Sequence, residues 1–261
     1  MSAYQPTAIN HAHASENRIH ADDVAKRYGF RGGLVPGVAV YGYMTYPISR
    51  QLEQRWLDHS QLEVRFLKPA YDGERITIER SVADGGQSVS CRNDDGLLLA
   101  NMTLNVAGAL PAIDARAHLA PATSNPTRAE IAWDAISVDQ PFAAIIWRPS
   151  ADENETYTDY VADDLAMYRS GVVHPHLTLH WANQVLSRRF VLPAWVHVGS
   201  QVIHRRCLHV GDTVELRTIP IEKWRHKGHE FIKLYIAYMV DAEPAVEIYH
   251  TAIYKLAERA A

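Results

Sequence analysis

An asparagine and a histidine stand three residues apart near the start of the chain, ahead of a stretch rich in glycine and proline. Asn17 and His20 lie in the segment SENRIH, and the Gly/Pro elbow GGLVPG ends at Gly37. Histidine takes up and returns a proton near neutral pH, and an asparagine amide can hold a water or a carbonyl oxygen. The apolar run after the elbow predicts a helix whose amino end can receive a carbonyl oxygen. These residue types indicate proton transfer beside a carbonyl group.

The same residues also fit a purely structural role. A Ser-Glu-Asn run ahead of a helix is typical of an amino-terminal cap, in which Asn17 would accept a backbone hydrogen bond. His20 would then be a hydrogen-bonded core residue. Both interpretations stay open at this level.

The first half of the chain predicts one long helix followed by an antiparallel meander. The helix covers Val38–Trp56, and Pro47 should bend or shorten it. Alternation of apolar and polar residues predicts strands over 62–67, 75–82 and from 89 to 106, with turns at 71–74 and 84–86.

The second half repeats this order. A second elbow, GVVHPH at 171–176, precedes a helix-like run over 177–190 and a strand over 196–206. Gly73 and Gly211 occupy equivalent turns, and 211 − 73 gives an offset of 138 residues between the halves. We therefore predict a duplicated helix-on-sheet unit. Its parts are an N-terminal unit over 1–109, an Ala/Pro-rich surface linker over 110–130, and a C-terminal unit over 131–261.

A long helix wrapped by an antiparallel sheet, with a Gly/Pro elbow at the helix start, resembles the hotdog fold. The block from Ser15 to Gly37 is similar to the hydratase motif of the MaoC-like dehydratases, the (R)-specific enoyl-CoA hydratases. That motif runs Asp-x-Asn-Pro-(apolar)-His, followed by an Asp and an Ala. Two positions depart from it, because Arg18 replaces the proline and Ser15 replaces the aspartate. The five matching positions are Asn17, Ile19, His20, Asp22 and Ala25.

The resemblance implies an α+β double hotdog, in which two tandem units each wrap an antiparallel β-sheet around a central helix. It implies hydration or dehydration of a 2-enoyl or 3-hydroxyacyl thioester, most simply a coenzyme A ester, in a tunnel between the units. His20 would be the general acid or base, and backbone N–H groups around Gly37 and Val38 would hold the thioester oxygen. Pro36 would contact the substrate at the same place. No metal or redox cofactor is expected. The second half, YVADDLAMYRSGVVHP, keeps no such motif.

The loss of the motif aspartate at Ser15 raises the question of what assists His20. A serine can orient water but cannot act as a base, whereas Glu16 carries a carboxylate one residue along. We expect Glu16 and His20 to form the acid-base pair, with Asn17 holding the water or the thioester oxygen. From the degenerate half, a further histidine pair at the second elbow could line the tunnel and contact substrate: His174 and His176.

Two other functions remain open. Without its aspartate, the chain could be a non-catalytic acyl-thioester binder, or a protein that completes another subunit's site. A hotdog thioesterase is a further alternative, although the polar side chains early in the predicted central helix, Tyr41, Tyr43 and Thr45, include no carboxylate to activate water. A nucleotide-dependent oxidoreductase is not expected, because no GxGxxG follows a strand.

Composition excludes several other classes. The formal net charge of −4, with no basic stripe, argues against nucleic-acid binding, and no apolar run of about 18 residues suggests a membrane span. Cys91 and Cys207 lie far apart without metal spacing, and the paired histidines lack a third ligand, so no disulfide or metal site is predicted. With no export signal evident, we expect a cytoplasmic protein, and a homodimer of double-hotdog chains is plausible.

Overall fold

The computed structural model describes residues 3–83 and 86–257. Its helices are α1 (Asp22–Arg27), α2 (Gly37–Leu52), α3 (Arg55–Asp58), α4 (Ala151–Asp159), α5 (Ala166–Arg169) and α6 (Pro175–Arg189). Its strands are β1 (Ser60–Phe66), β2 (Ile76–Ala83), β3 (Gly86–Asn93), β4 (Leu98–Asn105), β5 (Ala129–Glu130), β6 (Ile145–Trp147), β7 (Phe190–Val191), β8 (Val196–His204), β9 (Val214–His226), β10 (His229–Val240) and β11 (Glu243–Lys255). Asp84 and Gly85 of the predicted turn at 84–86 lie outside the described residues.

Nine of these strands form one continuous antiparallel sheet in the order β2-β3-β4-β1-β8-β11-β10-β9-β6. Strands β5 and β7 pair separately, in parallel. Helices α2 and α6 pack against each other, and their apolar residues share one core with the sheet. The predicted α+β arrangement of two helix-on-sheet units is confirmed. No helix within the described ranges combines the length and the apolar character that crossing a bilayer requires.

The two units meet edge to edge where β1 pairs with β8. Glu63 lies opposite Gln201 in this antiparallel pair, and 201 − 63 equals the offset of 138 that relates the halves. At the centre of the junction Glu63 therefore faces its own counterpart, and the neighbouring pairs, Leu62 with Val202 and Val64 with Ser200, are exchanged by the same pseudo-twofold axis. The elbows repeat as well, because the backbone N–H groups of Val35 and Val173 each donate a 2.9 Å hydrogen bond, to the carbonyls of Ala70 and Leu208.

The central helix α2 ends at Leu52, four residues before the predicted end at Trp56, and Pro47 does not terminate it. It continues through Pro47 to Leu52, and Trp56 belongs to the separate short helix α3. The break falls at Glu53, whose φ of 52° is incompatible with a right-handed helix. Pro47 is only half-buried, and every residue from Val38 to Thr45 is buried. The helix is therefore held by the core around its first half.

Part of the segment between the units packs against the sheet. Ala117 lies fully buried against the outer face of the sheet, in a short 3-10 turn that Asp114 caps. The backbone N–H of Asp114 donates to the buried carboxylate of Glu247 at 3.0 Å, and the Tyr235 hydroxyl donates to the same oxygen at 2.7 Å. The Arg205 guanidinium completes this network at 2.5 Å. The linker thus covers part of the C-terminal unit's sheet.

Two histidines buried in β8 and β11 make the stability of the fold sensitive to acid. Burial lowers the pKa of His204 and of His250 to about 3, from an ordinary value of 6.5. Between these values the unfolded chain binds protons that the folded chain excludes, so stability is lost as the pH falls. Each histidine should remove about 1.4 kcal/mol of unfolding free energy per pH unit below about pH 6.

Urea unfolding of the parent protein and of His204→Phe, followed from pH 7.5 to 4.5, checks this prediction. Carboxylates that titrate in the same range affect both proteins equally, so the comparison isolates one histidine. The parent should lose stability more steeply with falling pH than the variant does. Parallel pH dependences in the two proteins would show that His204 is not excluded from protonation by the fold.

Candidate active site

His20 lies at the end of a 3-10 turn, Arg18–His20, directly ahead of α1. Its Nδ1 donates a 2.7 Å hydrogen bond to the backbone carbonyl of Leu34, a residue of the first elbow. A carbonyl oxygen can only accept, so the proton of the neutral ring resides on Nδ1 and Nε2 carries a lone pair. Burial lowers the pKa of His20 below its ordinary value, and the bond to Leu34 offsets part of that shift. His20 is therefore a neutral base at pH 7.

Asn17 joins the two units rather than holding a water. Its Oδ1 accepts from the backbone N–H of Trp195 at 3.2 Å, and its Nδ2 donates to the Trp195 carbonyl at 3.0 Å. The amide also lies 3.4 Å from Nε2 of His20, to which it can donate its second proton. Asn17 caps the 3-10 turn through Ile19 as well. The expectation that it holds water or the thioester oxygen is thus not what the structure shows, because backbone groups occupy its amide.

The amino end of α2 presents two free donors. Within the described residues, the backbone N–H groups of Gly37 and Val38 have no hydrogen-bond partner, and Pro36, the residue before the helix, provides no side-chain cap. Pro36 and Gly37 form part of a cavity wall, whereas the Val38 side chain lies in the core. Unpaired donors and the helix dipole at such an end stabilise negative charge on an oxygen. The position at which the sequence predicts oxyanion binding therefore has free donors, and their role stays a prediction.

The equivalent end of α6 is closed. Val38 corresponds to His176 at the offset of 138, and the His176 N–H is capped by Nδ1 of His174 at 3.0 Å. Gly37 corresponds to Pro175, which has no N–H. At the two positions that correspond to Gly37 and Val38, the described residues of the second elbow therefore offer no free N–H group.

His20 and the start of α2 line one cavity of about 270 Å³ between the units. The N-terminal unit contributes Asn17, Ile19, His20, Phe30, residues 34–37, Val40 and residues 66–70, and the C-terminal unit contributes Asn183, residues 195–198, His229, Ile253 and Leu256. The wall is mostly apolar, and no aspartate or glutamate of the described residues belongs to it. Such a cavity suits an acyl chain, and the side chains in its wall that could transfer a proton are three histidines, His20, His197 and His229, and Lys68.

Ser15 and Glu16 do not belong to this cavity wall. The Ser15 hydroxyl donates to the backbone carbonyl of Asn17 at 3.2 Å. Glu16 is exposed, and its carboxylate forms an ion pair with Arg128. No hydrogen bond or ion pair within residues 3–83 and 86–257 joins Glu16 to His20. The structure does not form the expected acid-base pair, because a carboxylate with an arginine partner in water is more favourable than one buried beside a neutral ring.

His174 and His176 are also absent from the cavity wall. Both are buried at the start of α6, where Nε2 of His174 lies 3.2 Å from Asp163 and Nδ1 of His176 lies 3.2 Å from the Tyr157 carbonyl. The His174 ring packs at 4.4 Å on Tyr168. The structure therefore does not give them the expected role in substrate binding, because they fill and cap the degenerate unit.

Replacing His174 by asparagine should therefore affect stability and not turnover. Asparagine can still cap α6 but does not reach Asp163, which leaves a buried carboxylate without its partner. We expect a loss of about 3 kcal/mol in unfolding free energy, with the turnover number of the folded protein unchanged within about threefold. Chemical denaturation and kinetics at a temperature where the variant is fully folded test both parts. A turnover loss above tenfold would contradict this assignment.

Gly33 sets how closely the first elbow approaches His20. A Cβ at Gly33 would lie 2.1 Å from the His20 carbonyl oxygen, a backbone atom that cannot move alone. Gly33→Ala should therefore lower the unfolding free energy by about 1–3 kcal/mol and displace the His20 segment. Gly32→Ala is a matched control, because its Cβ would meet only the side chain of Asp22, at 3.1 Å. Equal melting temperatures for the two variants would contradict this packing.

Sequence reasoning missed the residues that the C-terminal unit adds to the cavity. These are Trp195 and His197 at the start of β8, and Asn183 on α6. The ring of His197 packs edge-on against Phe66 at 4.8 Å. Histidine at a strand start carries no distinctive signal among 14 histidines. The pairing of β1 with β8 could have identified it, because that pairing places the start of β8 beside the end of β1.

No family model and no curated protein sequence matches the chain. Its structure is similar to that of a MaoC domain protein, a proposed dehydratase, from Chloroflexus aurantiacus J-10-fl, at 10% identity and a TM-score of 0.61, over 98% of this chain and 96% of that one. A conserved hypothetical protein from Mycobacterium tuberculosis with a double hotdog fold gives 14% identity and a TM-score of 0.59, over 97% and 96%.

A protein from Lactobacillus plantarum that is proposed to be an oleoyl thioesterase gives 12% identity and a TM-score of 0.53, over 97% of this chain and 96% of that one. At these identities the similarity establishes the fold and leaves the specific activity open. Solved structures that resemble the chain thus include dehydratase-like and thioesterase-like proteins. The chain has the double hotdog fold, and it shares that fold with MaoC-like dehydratases.

Proposed function

We propose that the protein catalyses the reversible hydration of a 2-enoyl thioester, most simply a coenzyme A ester, to the 3-hydroxyacyl thioester. One observation carries this proposal. A neutral histidine with a fixed tautomer and the two free N–H groups of α2 line or adjoin the same apolar cavity. Addition of water next to a carbonyl needs a base for the water and donors for the oxygen on which charge develops.

His20 would act as the only acid-base group. Water replaces the Asn17 amide as the partner of Nε2, whose contact with that amide is long at 3.4 Å. Nε2 then takes a proton from the water as the water oxygen bonds to C3, and the double-bond electrons move towards the thioester oxygen. The Gly37 and Val38 N–H groups hold the resulting enolate, while the Leu34 carbonyl stabilises the charged imidazole. His20 then returns the proton to C2 and becomes neutral again. The atoms and electrons balance with water alone, so the reaction needs no redox cofactor.

A non-catalytic acyl-thioester binder is the second candidate. It is favoured by Ser15 at the aspartate position of the motif and by the lack of a carboxylate in the described cavity wall. Hydrolysis of the thioester is a third candidate function. It is suggested by the similarity in fold to a proposed thioesterase.

The experiment is a panel of trans-2-enoyl-CoA esters of increasing chain length, assayed for 3-hydroxyacyl-CoA and, in parallel, for thermal stabilisation of the protein. Hydration of at least one ester, with stabilisation by its saturated analogue, supports the proposal. Stabilisation without product supports the binder instead. Glu16→Gln is the matched control, because Glu16 is exposed and paired with Arg128. Its rate should equal that of the parent.

A further inference from the structure

A second histidine of the cavity wall, His229, has the opposite tautomer to that of His20. It is the first residue of β10 and follows the exposed turn at Lys227 and Gly228. Its Nδ1 accepts a 3.0 Å hydrogen bond from the backbone N–H of Ala257. Nδ1 therefore carries a lone pair, and the ring proton resides on Nε2. Whereas Nε2 of His20 is a base, Nε2 of His229 is a hydrogen-bond donor.

This donor can be reached by a ligand. Nε2 of His229 has no hydrogen-bond partner among the described residues, and it is not one of the unpartnered atoms that the fold shields from solvent. His229 itself is partly exposed. Other residues of the wall are deeply buried, because Val40 is 4% and His197 is 6% exposed. The cavity wall therefore has a buried part and an exposed part, and His229 belongs to the exposed part.

Lys68 adds a positive charge to the exposed part of the wall from the N-terminal unit. It lies just after β1, next to Leu67, and both residues are exposed. Within residues 3–83 and 86–257, no hydrogen bond or ion pair occupies the ammonium group of Lys68, and the wall contains no aspartate or glutamate that would neutralise it. Leu67, Lys68 and His229 are here called the rim of the cavity. The rim thus offers donors from both units.

A phosphopantetheine arm has the groups that such a rim would bind. The arm begins at the sulfur of an acyl thioester, carries amide groups along its length and ends in a phosphate. Amide oxygens accept hydrogen bonds, and phosphate oxygens attract an ammonium group. The buried part of the wall, which includes Leu34 and Val40, is apolar and suits the acyl chain. A thioester held at Gly37 would then extend its arm through the exposed part.

We propose that the rim binds the phosphopantetheine arm of the substrate's carrier, with Nε2–H of His229 donating to an amide oxygen and Lys68 pairing with the phosphate. This inference rests on the proposed function for the presence of an acyl thioester, and it adds how the carrier is recognised. Coenzyme A and an acyl carrier protein both present this arm. His229 and Lys68 bind substrate in this scheme and transfer no proton.

Binding of saturated acyl thioesters, which cannot be hydrated, tests the inference independently of turnover. The probes share one acyl chain and are its methyl thioester, its pantetheine ester and its phosphopantetheine ester. His229→Asn keeps an acceptor for the Ala257 N–H and removes the distal donor, whereas His229→Gln extends an amide N–H towards the position of Nε2. Lys68→Met removes the charge and keeps an unbranched side chain.

Arg148→Met is the matched control for the loss of one positive charge. Arg148 is exposed and does not belong to the cavity wall. It follows Trp147, which pairs with Val214 at the start of β9, whereas the turn ahead of His229 follows the other end of that strand. A general effect of net charge would appear in this variant as well.

The parent protein and Arg148→Met should bind the phosphopantetheine ester about fivefold to tenfold more tightly than the pantetheine ester, and the pantetheine ester more tightly than the methyl thioester by a similar factor. Lys68→Met should lose the first difference. His229→Asn should lose the second, and His229→Gln should regain part of it. Lys68 is exposed, so its variant keeps the test decisive even if His229→Asn does not fold.

Equal affinity of the parent for all three probes, or a difference that persists in the variant expected to remove it, would overturn the inference. The coenzyme A ester and an acylated carrier protein, measured in parallel, distinguish the two sources of the arm, and Lys68→Met must weaken whichever binds more tightly. Hydration of an enoyl ester whose affinity does not depend on the rim would overturn this inference alone. The predicted affinity differences without hydration would leave it standing and would contradict the proposed function.

Discussion

Replacing His20 by asparagine should lower the turnover number for hydration by about a hundredfold to ten-thousandfold, the usual contribution of a general acid-base group. Asparagine keeps a donor for the Leu34 carbonyl, so the segment stays in place while the base is lost. Affinity for a saturated acyl-CoA should change little. Steady-state kinetics and ligand-induced thermal shift measure these two effects separately.

The pH dependence of the parent enzyme gives this prediction a second readout. Burial lowers the pKa of His20, so the base is lost only when the pH falls below its ordinary value of 6.5. The acid limb of kcat/KM should therefore lie below pH 6.5 and should disappear from the residual activity of His20→Asn. A variant that retains the parent rate within threefold, or an acid limb above pH 7, would contradict the role of His20.

Replacing Gly37 by proline should lower the turnover number by about a hundredfold to a thousandfold relative to Gly37→Ala, because it removes one N–H from the oxyanion position. Proline is tolerated at the first position of a helix, and α6 carries Pro175 at the equivalent place. The ψ angle of 133° at Pro36 already suits a residue before proline.

Gly37→Ala is the matched control for this substitution. Both variants place a Cβ about 3.3 Å from the ring of Phe66, so any packing effect is shared. Only the proline variant lacks the N–H. Similar turnover numbers for the two variants, both far below the parent, would mean that contact with Phe66 and not the loss of a donor limits the reaction.

The duplication and the position of the site could be predicted from the sequence because local signals repeat. The offset of 138 residues aligned the turns at Gly73 and Gly211, and the structure places Glu63 opposite Gln201 at the same offset. The elbow ending at Gly37 predicted the start of α2, and the cavity lies there. Each of these features depends on short stretches of chain.

The partners of the motif residues could not be predicted, because they come from distant parts of the chain. Glu16 pairs with Arg128, which lies 112 residues later in the sequence, and not with His20. The Asn17 amide bonds the backbone of Trp195, which lies 178 residues later. The misassignment of His174 has a related cause. The second elbow looks like the first, but its histidine caps the helix that follows, and both His174 and His176 are buried there.

In the reaction that we propose, His20 and the amino end of α2 promote the addition of water to an acyl thioester, and the bond to the carrier stays intact. The most direct measurement quantifies 3-hydroxyacyl-CoA and free coenzyme A in the same reaction of the parent protein with a trans-2-enoyl-CoA. We expect the hydroxyacyl ester to accumulate without release of coenzyme A, and its accumulation to be lost in His20→Asn. Release of coenzyme A with an unhydrated acid, or no product from any ester that binds, would contradict this proposal.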